Sequence, residues 1–316
     1  MNNIKLQNLR FFVAVYEERS ISAAARKVHA TQSGVSVQVR DLEDQLGLSL
    51  FDRVSTGVTP TKAGDQIYRR AISILREVGR LGEDVSDMSD HLTGEVRVGI
   101  MPTFARSILA PVLSKFCLAN PFVEVRATEG YSAFLIQKVL AGELDVAVVP
   151  DGVFPGGLRS TFLDRDLELL VSRQPLEGVE GAVDLANVPP LSLVLPGPIN
   201  ARRANIDQQL GNSTGVVHNI LEMDSMMATL DIVRRGEWSS ILPGCLCHPD
   251  LNDPDIHLYP IEHPKLTVDY LLIEPAAKVA STATRQFTEQ LAEEIRRVCE
   301  LCRNHFDKGQ GSQSSG

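Results

Sequence analysis

Apolar residues recur along this chain with two different periods. In the first ninety residues the spacing is helical. Leu6, Leu9, Phe12, Val13 and Tyr16 mark one buried face on a helix from Leu6 to about Glu17. Ser20 or Ser22 can cap a second, short helix, in which Ala23, Ala24 and Ala25 let a neighbour approach closely. Val28 closes it and His29–Ala30 makes a turn. Thr31 caps a third helix running to about Leu46, with Val35, Val39, Leu42 and Leu46 inward. Further on, Ile67, Ala71, Ile74, Val78, Leu81, Val85, Met88 and Leu92 follow at alternating steps of four and three, an unbroken heptad seam. Two short helices joined by a turn and feeding a self-pairing helix are the plan of a protein that reads two DNA half-sites at once.

Beyond the break at Leu92-Thr93-Gly94 the period changes. Strands are expected at Glu95–Ile100, Val123–Thr128, Asp145–Val149, Leu167–Ser172, Leu191–Leu195, Val216–Glu222, Ser240–Leu242, Ile256–Ile261 and Val268–Glu274. Helices are expected at Thr103–Ala119, Tyr131–Ala141, from about Ile199, at Ser225–Arg235 and at Thr282–Cys302. Repeated β-α alternation predicts a mainly parallel sheet, and its two sets predict two subdomains with a cleft, as in periplasmic solute-binding proteins. The fold class is therefore α/β. Residues 1–64 form a winged helix-turn-helix domain, residues 65–92 a linker helix for dimerisation, and residues 93–302 an effector domain. Its first subdomain takes about 93–163 and 268–302, its second about 164–267. Residues 303–316 read as a polar, disordered tail.

Net charge is −9, which by itself argues against nucleic acid, but the distribution removes the objection. Residues 1–64 hold 8 Lys and Arg against 6 Asp and Glu, and the whole −9 lies beyond residue 90. A DNA-binding element needs only a local basic face, because salt screens its field within about 8–10 Å. No apolar run approaches the ~20 residues of a membrane span, and the N-terminus has no apolar signal core, so a cytoplasmic location is expected.

The outer face of the third helix opens with Gln32, Ser33, Ser36, Val37, Gln38 and Arg40. Short hydroxyls and amides near a helix N-terminus suit base edges and phosphates in the major groove; the same pattern also fits a solvated face of any three-helix bundle. Leu50-Phe51-Asp52-Arg53, a polar turn and Val58-Thr59-Pro60-Thr61-Lys62-Ala63-Gly64 then read as a small hairpin, or wing, ending in a Thr cap on a long helix.

In order, Phe11-Phe12-Val13-Ala14-Val15, Ser22-Ala23-Ala24-Ala25, Gln32-Ser33, Ser36, Gln38, Leu42-Glu43, Leu46-Gly47, Leu50-Phe51-Asp52-Arg53 and Thr59-Pro60-Thr61-Lys62-Ala63-Gly64 resemble the LysR-type transcriptional regulators. The resemblance implies a third helix in the major groove, with Gln32, Ser33, Ser36 and Gln38 near bases or phosphates and Arg53 and Thr61 near the backbone. The full candidate DNA-contacting set is Thr31, Gln32, Ser33, Ser36, Val37, Gln38, Arg40, Arg53, Thr59 and Thr61. Two departures stand out: Ser33 where the family usually has Pro, and Val37 where it usually has a basic residue. A Val there gives up a phosphate contact but can touch a thymine methyl. The resemblance also implies antiparallel pairing of the linker helices, a homotetramer, and activation or repression of transcription.

The dimerisation candidates are Ile67, Ala71, Ile74, Val78, Leu81 and Val85. A second copy is favoured as their partner over the chain's own globular domain, since charged residues flank the seam. In open α/β sheets ligands sit beyond strand C-termini and near helix N-termini, which nominates Thr103, Phe104, Tyr131, Ser132, Pro198, Asn200, Arg202, Asp224, Ser225 and Pro243 for a small effector. Arg202 or Arg203 can neutralise an anionic one. Capping and solvation are the plain alternatives for these side chains.

Cys299-x-x-Cys302-x-x-His305 and Cys245-x-Cys247-His248 are metal-like fragments, but free cysteines are also common small core residues, and no metal or cofactor is expected. The chain lacks a G-x-S-x-G elbow, a Walker phosphate loop, an H-E-x-x-H pair and a G-x-G-x-x-G turn after a strand, so it is not read as an enzyme. The expected partners are double-stranded promoter DNA, a small effector, further copies of the chain and RNA polymerase, with no membrane. The competing reading is a solute-binding module that dimerises without regulating DNA.

Overall fold

The computed structural model describes residues 4–54, 57–86, 91–179, 181–198, 200–211, 217–263 and 265–311. The N-terminal unit comprises α1 (Leu6–Glu18), α2 (Ile21–Lys27), α3 (Gln32–Leu46), the hairpin β1 (Phe51–Val54) with β2 (Gly57–Pro60), and α4 (Lys62–Ser86). Each boundary has a local cause. Ser20 Oγ accepts from Ala23 N at the start of α2, Thr31 Oγ1 from Gly34 N at the start of α3, and Thr61 Oγ1 from Gly64 N at the start of α4. Gly47 ends α3 with φ 65°, the left-handed C-cap. Glu43 ties α3 to the wing by accepting from Leu50 N at 2.7 Å and Phe51 N at 3.2 Å. Gly64 has no alternative, since a Cβ there would lie 2.3 Å from the Leu50 carbonyl oxygen.

The remaining elements are β3 (Gly94–Ile100), α5 (Ala110–Ala119), β4 (Val123–Glu129), α6 (Ser132–Leu140), β5 (Val146–Pro150), β6 (Leu158–Ser172), β7 (Val183–Asp184), β8 (Leu191–Leu195), α7 (Ala201–Gly211), β9 (Val217–Glu222), α8 (Met226–Arg235), β10 (Trp238–Pro243), α9 (Gly244–Cys247), β11 (His257–His263), β12 (Thr267–Pro275) and α10 (Thr282–Gly311). The strands run in the order β4-β3-β5-β12-β6-β10-β8-β9, with β11 paired to β6 and β7. β3 pairs in parallel with β4 and β5, and β8 with β9 and β10, giving two parallel halves. The antiparallel strands β12 and β6 join them.

β6 is the shared element. Residues Leu158–Leu167 pair with β12, and Glu168–Ser172 pair with β10 and β11. The change of partner between Leu167 and Glu168 marks the boundary between the two halves. Each half has its own core, one around Phe104, Phe116, Tyr270 and Phe287, the other on both faces of Leu169–Val171.

The structure departs from the sequence reading in several places. β6 begins at Leu158 rather than Leu167, held by backbone pairing along a stretch whose side chains are mostly exposed. The helix expected at Thr103–Ala119 opens with a 3-10 turn, Pro102–Phe104, and a π turn, Ala105–Leu109. α10 does not stop at Cys302. It continues to Gly311 and lays Phe306 against the second subdomain, so residues 303–311 are helical where a disordered tail is expected. Met88, Ile199, Val216 and residues 312–316 lie outside the described residues.

Candidate functional site

The N-terminal unit sorts the residues of α3 by face. Val35 and Leu42 are fully buried and Val39 nearly so. Gln32, Ser33, Val37 and Arg40 are exposed, with Val37 half open to solvent. Ser36 is partly covered. Thr31, Arg53 and Thr59 are exposed, so the start of α3 and the wing present polar groups outward. Two nominated side chains have local partners instead. Gln38 accepts from Asn8 Nδ2 through both its carbonyl oxygen (3.0 Å) and Oε1 (3.1 Å), which locks α3 to α1. Thr61 caps α4 and donates to the Ser49 carbonyl at 2.8 Å.

The heptad seam divides along α4. Ala71 is buried with Leu9, Phe12, Val13, Leu42 and Leu50 in the chain's own N-terminal core, and Ile67 packs beside it. Ala71 is therefore not free to meet a second molecule, whereas Ile67 is only partly covered. Val78 borders a 630 Å³ cavity between the N-terminal unit and the effector domain, along with Val13, Val139 and Val279. Ile74 and Leu81 are open, with 46% and 67% of their surface exposed. The side chain of Val85 lies outside the described residues.

Between the two α/β halves lies a 220 Å³ cavity bordered by Met101, Thr103, Tyr131, Ser132, Ala133, Ile136, Pro150, Asn200, Ala201, Arg202 and Met226. Strand ends and helix starts supply nearly all of these residues, as the strand-end rule requires. Thr103, Tyr131, Ser132, Asn200 and Arg202, all nominated from the sequence, meet there. Five others do not. Phe104 is fully buried and packs edge-on against Tyr270, at 4.6 Å between ring centroids. Pro243 is buried where β10 meets α9. Pro198 and Asp224 are exposed, and Asp224 accepts from Gly197 N. Ser225 caps α8.

Arg202 does not offer a free charge. It is buried, and it donates from Nε and Nη2 to the carboxylate of Glu168 at 2.6 and 2.5 Å and from Nη2 to the Ile241 carbonyl at 3.0 Å. Arg203 is likewise held, by Asp207, Glu222 and the Pro196 carbonyl. Both side chains, named from the sequence as able to neutralise an anion, are thus paired within the protein in this structure. The Tyr131 hydroxyl is pushed above its usual value, first by burial and then by the charges of Asp224 and Glu129.

The sequence reading missed the apolar part of the cavity, Met101, Ile136, Pro150 and Met226, since such residues look like ordinary core. It also missed Glu168, for which a signal existed. A lone carboxylate inside the apolar run Leu167–Ser172 needs a cationic partner once buried.

Cys245, Cys247, Cys299 and Cys302 are fully buried, and burial pushes their thiols up. Cys302 Sγ donates to the Gly244 carbonyl at 3.3 Å. Among the described residues no three His, Cys, Asp or Glu side chains come together as metal ligands.

Two family models cover most of the chain. Residues 6–65 match the bacterial regulatory helix-turn-helix protein of the lysR family, and residues 89–296 match the LysR substrate binding domain. This chain belongs to the LysR family of transcriptional regulators. The nitrogen assimilation regulatory protein nac of Klebsiella aerogenes is 31% identical over 241 residues, which is 76% of this chain and 78% of that relative. A probable nitrogen assimilation transcriptional activator of Synechococcus elongatus is 25% identical over 95% of this chain and 97% of its own. Two solved LysR-type structures share the fold. A full-length OxyR variant from Pseudomonas aeruginosa has a TM-score of 0.57 at 21% identity, covering 95% of this chain and 98% of its own. Full-length CbnR complexed with its target DNA has a TM-score of 0.51 at 22% identity, covering 92% of this chain and 99% of its own. Like other LysR-type regulators, the protein pairs an N-terminal helix-turn-helix with an effector-binding domain. Among the described residues no helix is long and apolar enough to cross a membrane.

Proposed function

We propose that this LysR-type regulator grips promoter DNA with two copies of α3, held at a fixed separation by self-association through α4. The observation that carries the reading is the division of α3 into a buried apolar face and an exposed face beginning with Gln32, Ser33 and Val37. Backbone N–H groups at the start of α3, its hydroxyls and Arg40 suit a phosphate backbone; Gln32 and Ser36 suit base edges. Arg53 and Thr59 on the wing flank the same surface. Ile74 and Leu81 supply the apolar contact for a second copy, and pairs of dimers give the homotetramer. A small molecule in the cleft between the halves shifts their relative placement, and with it the spacing or bend imposed on DNA. The consequence is altered access of RNA polymerase in the cytoplasm, without catalysis.

The test starts from a binding site selected out of random double-stranded DNA. Gel-shift titration across salt concentrations should give a specific complex that weakens steeply with salt. Replacing Gln32 and Ser36 together by Ala should relax sequence preference while the fold is kept. A protein that selects no sequence at low salt contradicts the reading.

A further inference from the structure

The two walls of the cleft are tied together by one carboxylate. Asp250 is 4% exposed and is shared by two arginines. Arg106 donates from Nη1 to Oδ2 at 2.5 Å and from Nη2 to Oδ1 at 3.0 Å, and its Nη1 also reaches the Leu246 carbonyl at 3.2 Å. Arg234 donates from Nη2 to Asp250 Oδ1 at 2.6 Å and from Nη1 to Asp253 Oδ2 at 2.8 Å. The two arginines come from different halves. Arg106 stands in the π turn that leads into α5, in the half built on β3, β4 and β5. Arg234 is in the last turn of α8, in the half built on β8, β9 and β10. Asp250 follows α9, the segment that leaves β10 and packs against α10 and the turns at residues 102–109.

Each arginine is also connected to the cleft. Met101 and Thr103, which border the 220 Å³ cavity, immediately precede the π turn that carries Arg106. Met226 borders the same cavity from the other half and opens α8, so Arg234 lies about 12 Å further along one rigid helix. The bond to Arg106 can open without stranding a buried charge. Arg234 keeps Asp250 paired, and the Arg106 side chain is 23% exposed and can rehydrate. The winding at Arg106 is itself unusual, since single π turns are rare and concentrate at functional sites. Ser107 in the same turn donates to the Cys245 carbonyl at 2.5 Å, a second tie between this turn and α9.

We propose that Arg106, Asp250 and Arg234 form a latch that holds the two halves in one relative placement, with Asp250 the positioning residue through which movement of one cleft wall reaches the other. This rests on the cleft being the effector site. A ligand that changes the separation of Thr103 and Met226 moves the two arginines. The shared carboxylate then answers with a change of partner: both guanidiniums in one placement, Arg234 alone in the other.

The experiment measures the placement directly. Full-length protein carries Cys117→Ser, to remove the exposed thiol, and spin labels on Ala133→Cys in α6 and Ala204→Cys in α7, exposed positions on the two sides of the cleft. It is diluted into unlabelled protein, so that double electron–electron resonance reads distances within one chain. Relative to this labelled parent, Asp250→Asn should shift the distance by more than about 2 Å. Should that variant fail to fold, Arg106→Gln keeps Asp250 paired with Arg234 and should give the same shift. Asp253→Asn removes an ion pair of Arg234 but leaves the Arg106–Asp250 bond, and should keep the parent distance. An unchanged distance in the latch variants overturns the proposal. So does an equal shift in Asp253→Asn, which would mark a general loss of stability. A shifted distance in Asp250→Asn with an unchanged hydroxyl-radical footprint on the selected DNA upholds the latch and contradicts the regulatory reading of the cleft.

Discussion

Ala71 and Ile74 lie three residues apart on α4 and meet opposite environments. Ala71 is 1% exposed inside the chain's own N-terminal core, while Ile74 is 46% exposed. The first turns of the helix complete the helix-turn-helix unit, and an adjoining stripe through Ile74 and Leu81 is open to solvent. A spacing that reads as one continuous seam is two faces in the folded chain.

That division makes a contrast measurable by light scattering after size exclusion. Ile74→Glu with Leu81→Glu should give a folded monomer, since neither side chain supports the protein's own core. Ala71→Glu should instead unfold the N-terminal unit, because it forces a charge among Leu9, Phe12 and Leu42. A double variant that keeps the wild-type mass would place the dimer contact elsewhere.

Val37 is exposed on α3, beside Ser36 and Arg40. Val37→Lys should add about one phosphate contact, steepening the salt dependence of DNA binding by about one unit of log-log slope. Affinity should rise for all sequences alike at low salt. Unchanged salt dependence, measured by fluorescence anisotropy, would mean that this position faces away from the backbone.

Asp166 sits on the shared strand β6, fully buried, accepting from Cys245 N at 2.8 Å and Leu167 N at 2.9 Å. Burial pushes its carboxyl up to about 6, and the neighbouring Glu168 adds to the shift. An acid whose folded value exceeds its unfolded one holds its proton more tightly when folded. Stability then falls as pH rises from about 4 to about 6 and levels off above, by about 3 kcal/mol for a shift of this size. Asp166→Asn should lack that component, so its melting temperature should gain on wild type between pH 4 and pH 7. Parallel profiles for the two proteins would contradict the assignment.

The sequence reading succeeded where local chemistry decides the outcome. Ser20, Thr31 and Thr61 are caps that any helix would use, and Val35, Val39 and Leu42 declare the inner face of α3 by spacing alone. It failed where distant partners decide. The first half of β6, from Leu158, carries little apolar pattern, because it is held by antiparallel pairing in register with nine residues of β12. The cleft was half legible. Thr103, Tyr131, Ser132, Asn200 and Arg202 stand at strand ends and helix starts, whereas Met101, Ile136 and Met226 are indistinguishable from core until the two halves face each other. The charge of Arg202 is matched by Glu168, 34 residues away, and no local pattern connects them.

The central claim, two copies of α3 presented at a fixed distance, is tested most directly by hydroxyl-radical footprinting on the selected DNA site. Wild-type protein should protect two segments on one face of the duplex, about one helical turn apart or a multiple of it. Ile74→Glu with Leu81→Glu should protect one segment and only at far higher concentration. A single protected segment with wild-type protein, or paired protection that survives in the monomeric variant, would contradict the account.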